Sequence, residues 1–74
     1  MNINSIAANQ TEIETNNGTR VFFSYKTPVA AFVPGTGYIR SEEYYSKTTS
    51  SHINKWLDGV ESAKVPQSEI NKLI

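Results

Sequence analysis

The chain predicts an α+β domain, an antiparallel β-meander of three to four strands followed by one amphipathic helix and a short C-terminal helix. Three patterns carry this expectation. Between residues 10 and 40, short runs with strand character are separated by Gly- and Pro-containing turn signals. The period then changes, with Ile53, Trp56, Leu57 and Val60 spaced i, i+3, i+4, i+7 along one helical face. After Pro66, the residues Ile70, Leu73 and Ile74 repeat helical spacing.

Residues 1–9 are rich in Asn, Ser and Ala and are expected to be loosely ordered, although Ile3 and Ile6 are spaced for a single helical turn. Residues 10–15 place polar side chains around Ile13 and read as an edge strand. Asn17-Gly18 should reverse the chain, because Asn and Gly tolerate the positive φ that a two-residue hairpin turn demands. In the next strand, residues 19–25, Val21, Phe23 and Tyr25 share one face and Arg20, Phe22 and Ser24 the other. Pro28 has no N–H for a ladder and should interrupt it, leaving residues 29–33 as a central strand, apolar on both sides. Residues 34–37 form a turn, and residues 38–40 a fourth strand that continues past a kink toward Tyr44 and Tyr45. One of Thr49, Ser50 or Ser51 should cap the helix, Gly59 should stop it, and Pro66 suits the first position of the last one. Trp56 is then the largest apolar group available to cover the sheet.

Bulk properties narrow the function classes. With 74 residues the chain makes one small domain, residues 1–74, near the size at which a single core suffices. Seven basic residues balance seven acidic ones, which disfavours a strongly basic nucleic-acid binder and an acidic DNA mimic alike. The absence of cysteine excludes disulfides and thiolate metal sites. No apolar run approaches the ~20 residues of a membrane helix, and residues 1–10 do not look like a secretory signal. A cytoplasmic protein with no membrane contact is the expectation.

No constellation in the sequence points to catalysis. His52 is the only histidine and has no ligand partners at metal-binding spacing, so neither a metal nor a cofactor is expected. Thr49, Ser50 and Ser51 adjoin it, but adjacency at a helix start does not give the geometry of a nucleophile and its base. The plainest role for His52 is an imidazole near Trp56 bonded to a backbone group. Residues 33–37 contain two glycines but lack the Lys and the following helix of a phosphate loop, so they read as a turn. Glu42 and Glu43 point to opposite sides of a strand and are expected to be solvated.

The hydroxyl run of residues 48–51 stands at a helix start, where free N–H groups and the helix dipole favour an anion. Only one side chain caps. The others, with Lys47 and Arg40, make this region a candidate partner- or anion-binding surface. Tyr25, Tyr38, Tyr44 and Tyr45 interleave with Arg20, Lys26, Arg40 and Lys47, a composition that suits protein contacts or the stacking of single-stranded bases.

Residues 24–30, SYKTPVA, and residues 45–57, YSKTTSSHINKWL, resemble a group of short proteins of unknown function encoded by bacteriophages and prophages. Within the motifs SYxTPVA and YSxTTxxHINxWL, the matching positions include Ser24, Tyr25, Thr27, Pro28, Tyr45, Ser46, Thr48, Thr49, His52, Asn54 and Trp56. The resemblance implies a phage accessory protein working in the host cytoplasm and assigns no activity. The expected function is therefore a non-enzymatic module that binds a protein partner, an inhibitor of a host or defence protein. Its candidate surface comprises Tyr45, Lys47, Thr48, Thr49, His52, Asn54 and Arg40. The alternative is a nucleic-acid-binding accessory protein using the aromatic-basic surface and the helix start. The strand beginning at Gln10, guarded only by Glu12 and Glu14, offers an edge for pairing into a homodimer.

Overall fold

The computed structural model describes residues 2–74. The elements follow in the order β1 (Asn2–Ala7), β2 (Gln10–Glu14), β3 (Arg20–Ser24), β4 (Thr27–Val33), β5 (Gly37–Ser41), α1 (Lys47–Leu57), β6 (Ala63–Val65) and α2 (Gln67–Asn71). The six strands lie in the sheet in sequence order. Each of β1 to β5 pairs antiparallel with the next, and β6 runs parallel to β5. A parallel pair needs a long crossover, which the α1 segment supplies. The predicted meander, helix and short terminal helix are all present.

Two strands exceed the expected number. β1 replaces both the loose N-terminus and the Ile3–Ile6 helical turn, because residues 2–7 take the pairing that β2 offers: Ile3 faces Ile13 and Asn4 faces Glu12. Met1 lies outside the described residues. β2 is consequently an interior strand rather than an edge. β6 is only three residues long and has no periodicity of its own to detect; the backbone of β5 defines it. β5 itself ends at Ser41 and does not continue to the tyrosine pair.

The turns show which rule governs each reversal. The β2–β3 loop has three residues, not two. The Thr15 N–H donates to the Thr19 carbonyl at 2.8 Å, the Gly18 N–H donates to the Thr15 carbonyl at 3.2 Å, and only Gly18 takes a positive φ, 87°. This matches a type I turn closed by a left-handed glycine. At the β4–β5 turn, Pro34 and Gly35 (φ 83°) hold the middle positions and the Thr36 N–H donates to the Val33 carbonyl, as in a type II turn. Pro28 belongs to β4 after all. The β3–β4 register shifts between Phe22 and Phe23, opposite Pro28 and Ala30, and a bulge is where a strand tolerates proline.

The core lies on both faces of the sheet. α1 buries Ile53 and Leu57 against Phe22, Val29 and Ala30, with Tyr38 and Trp56 at the margin. α2 buries Ile70 against Val21, Ala31 and Ile39, with Phe23, Val33, Val65 and Leu73 around it. Adjacent residues Val21 and Phe22 are both fully buried because each faces a different helix. Trp56 covers the sheet as expected. Its ring stacks on Phe22 with centroids 5.2 Å apart, and its indole N–H donates to Glu12 at 2.9 Å. Val60 falls beyond the end of α1 and is exposed.

Candidate functional site

α1 begins at Lys47, earlier than the hydroxyl run suggests. Ser46 is the cap: its extended backbone (φ −166°, ψ 164°) aims the side-chain oxygen at the Thr49 N–H, which donates to it at 3.0 Å. Thr49, Ser50 and Ser51 are therefore helical residues. None of them caps. The shift has a chemical consequence, since it turns Thr49 toward the sheet, where it is buried.

Beneath Thr49 lies Ser24, the last residue of β3 and only 2% exposed. The Ser24 hydroxyl lies 3.2 Å from Thr49 Oγ1 and 2.8 Å from His52 Nδ1. A hydroxyl has one hydrogen, so two arrangements fit. Either Ser24 donates to Thr49 and accepts from the imidazole, or it donates to the imidazole and accepts from Thr49. Both close the network. The partner of His52 is thus a side chain of the sheet rather than a backbone group. The pair has the separation of a nucleophile and its base, but Ser24 Oγ sits in the sheet–helix seam with Thr49 bonded to it. Its evident work is to fasten α1 to β3.

Removing the central hydroxyl leaves the buried Thr49 oxygen and the imidazole without their partner. Ser24→Ala is expected to cost about 1–3 kcal/mol. Adding Thr49→Val should cost less than the sum of the single changes, because both members of a buried polar pair are then apolar. Urea unfolding of the two single variants and the double variant measures this directly, and strict additivity would contradict the network.

Next to Ser24 the backbone becomes unusual. Tyr25 adopts a left-handed conformation (φ 59°), and its N–H donates to the carbonyl of Asn9, itself at φ 62°, at 2.7 Å. The left-handed turn takes Tyr25 out of the alternation expected to align it with Val21 and Phe23. Its ring instead lies 5.8 Å from that of His52, at a tilt of 40°, and is 51% exposed. A bulky residue here is an outlier, costing roughly 1–2 kcal/mol relative to ordinary backbone.

The other predicted residues divide into two groups. Tyr45, Lys47 and Thr48 are exposed at the approach to α1 and in its first turn, and Tyr44 is exposed beside them. Arg40 and Asn54 meet each other: Arg40 Nη1 donates to Asn54 Oδ1 at 3.2 Å, while Arg40 Nε is buried without a hydrogen-bond partner. Of the tyrosines and cations, Tyr38 and Arg20 are engaged with each other. Tyr38 is half-buried, edge-on to Trp56, and its hydroxyl accepts from Arg20 at 2.9 Å; Arg20 in turn lies over the Phe32 ring, 5.1 Å from its centroid. Along the outer side of α1 runs an open groove of about 550 Å³ whose charged lining is Lys47, Lys55 and Asp58, with Ser50, Ser51 and Asn54 between them. Among the described residues, no group of three or more His, Asp or Glu side chains could hold a metal ion. No helix there is long and apolar enough to cross a membrane.

Sequence reasoning missed the two residues that organise this end of the molecule, Ser24 and Tyr25, as partners of His52. The motif positions gave the available signal. Ser24 and Tyr25 come from the first motif and Thr49 and His52 from the second, and the fold brings the two motifs into contact.

Sheet, helices and rim together define a small α+β domain with a helix packed on each face of a mostly antiparallel sheet. The chain belongs to DUF8033, a family of unknown function whose model matches residues 1–72. No curated protein and no solved structure matches the chain.

Proposed function

We propose that this domain is a non-enzymatic protein-binding module that engages its partner through the rim formed by Tyr25, His52, Tyr45, Lys47 and Thr48. The observation that carries the reading is Tyr25, an exposed tyrosine held in left-handed backbone beside a braced imidazole. Glycine would occupy that turn without strain, and strained backbone concentrates at functional sites. Tyrosine is also enriched at the centres of protein interfaces. The short phage and prophage proteins that the two motifs resemble give the setting: an accessory factor in the host cytoplasm that blocks or redirects a host or defence protein.

The test separates binding from folding. Tyr25→Gly relieves the strained turn and is expected to hold or raise stability by roughly 1 kcal/mol. It should nonetheless abolish capture of the partner from host lysate, as should Tyr45→Ala. Stability is read by thermal unfolding and capture by affinity pull-down with mass spectrometry. Undiminished capture by both variants would refute the proposed rim. The lysine-lined groove on α1 favours a second reading, contact with a nucleic-acid backbone. That reading demands binding to oligonucleotides that weakens steeply with added salt.

A further inference from the structure

β1 occupies one edge of the sheet, and it is a different kind of edge from the other. The opposite edge, β6, is three residues long, carries Lys64 and is followed by Pro66, features that discourage further pairing. β1 extends over six residues, NINSIA, with no charge and no proline, and its register with β2 runs unbroken from Asn2 to Ser5 before shifting between Ser5 and Ala7. Ile3 is 69% exposed and Ile6 49%. Among the described residues, none of the buried core comes from β1 or β2, because α1 packs on β3 and α2 on β4 and β5.

We infer that β1 pairs antiparallel with β1 of a second copy, extending the sheet across a two-fold axis. The occupant follows from geometry and charge. A two-fold axis normal to the sheet keeps each face continuous. Ile3 lies opposite Ile13 on one face, so pairing centred on Ile3 makes a single apolar strip from Ile13 through both Ile3 side chains to the other Ile13. Like charges do not oppose this contact. Glu12 and Glu14 stand on β2, so those of the two copies are three strand spacings apart, ~14 Å, beyond the screening length of ~8 Å at physiological salt. An acidic or basic foreign strand would find no complementary charge on β1. The dimer edge is therefore β1 and not the strand at Gln10, whose two sides are both paired.

The expected result is a concentration-dependent monomer–dimer equilibrium of the full chain, read by sedimentation velocity from the micromolar to the millimolar range. In pairing centred on Ile3, a lysine at position 3 faces its own copy across the axis and one at position 4 stands next to it, so Ile3→Lys and Asn4→Lys should each weaken the dimer by roughly tenfold or more. A measurement on the unaltered chain guards against variants that fail to fold. Amide hydrogen exchange should show protection of residues 2–7 that rises with protein concentration, with β6 unchanged. A monomer throughout the range overturns the inference. So does a dimer that tolerates both lysines, or whose concentration-dependent protection lies outside β1, as would binding of only an added foreign strand.

Discussion

Phe22→Ala is expected to lower the unfolding free energy by about 3–5 kcal/mol, enough to unfold most of a domain whose total stability is on the order of 5 kcal/mol. Phe22 is the largest fully buried side chain. It shares one core cluster with the helix residues Ile53 and Leu57 and the sheet residues Val29 and Ala30, and Trp56 stacks on its ring. Removing the ring opens a cavity at the centre of that layer and takes away the surface on which Trp56 rests. Trp56 is the only tryptophan, so its fluorescence reports the outcome. The emission should shift toward that of exposed indole, and the urea midpoint should fall to near zero denaturant. A loss below about 1 kcal/mol would mean that the α1 layer contributes little, contrary to its burial. Trp56→Ala should cost less than Phe22→Ala. Trp56 is half-buried, and part of its contribution is the bond to Glu12.

The elements legible from sequence were those with a period or a turn rule behind them. The Ile53–Trp56–Leu57 spacing located α1, and the opposed faces of Val21 and Phe22 follow from strand alternation. The unread elements are those made by partners distant in sequence. β1 has two isoleucines three apart and no alternation, so only the register with β2 identifies it as a strand. β6 is set by β5 in the same way. Proline at position 28 reads as a strand breaker until the bulge opposite it is known. The helix cap was displaced because Thr49, Ser50 and Ser51 carry the same kind of acceptor as Ser46, and it is Ser46 that stands in extended backbone ahead of the helix.

The same distinction applies to the candidate site. Tyr45, Lys47 and Thr48 are exposed around the helix start. Thr49 and Asn54 are engaged with Ser24 and Arg40, contacts 25 and 14 residues apart in sequence that no local pattern reveals. The left-handed Tyr25 was equally hidden. A Tyr-Lys pair between two strands ordinarily reads as continued strand, and it becomes a turn here because Ser24 pairs with Thr27 across it.

On the opposite face, Ile70→Ala should cost about 2–5 kcal/mol and should act through a different route. α2 has five residues, no side-chain cap at Pro66, and one buried residue, Ile70. A helix this short does not persist by its own hydrogen bonds, since isolated helices under ~12 residues are marginal. What secures it is Ile70 among Val21, Ala31 and Ile39, with Gln67 Nε2 donating to the Pro28 carbonyl at 2.6 Å. Shortening Ile70 to Ala removes most of the apolar area that retains the segment. α2 is therefore expected to detach before the sheet unfolds, exposing Val21, Ala31 and Ile39 together. Hydrogen exchange should show this as lost protection in α2 and in the adjoining β6, while α1 and β3 remain protected in the surviving folded molecules. Uniform loss of protection across all elements would instead mean that the two faces unfold as one unit, with α2 an integral part of the core despite its length.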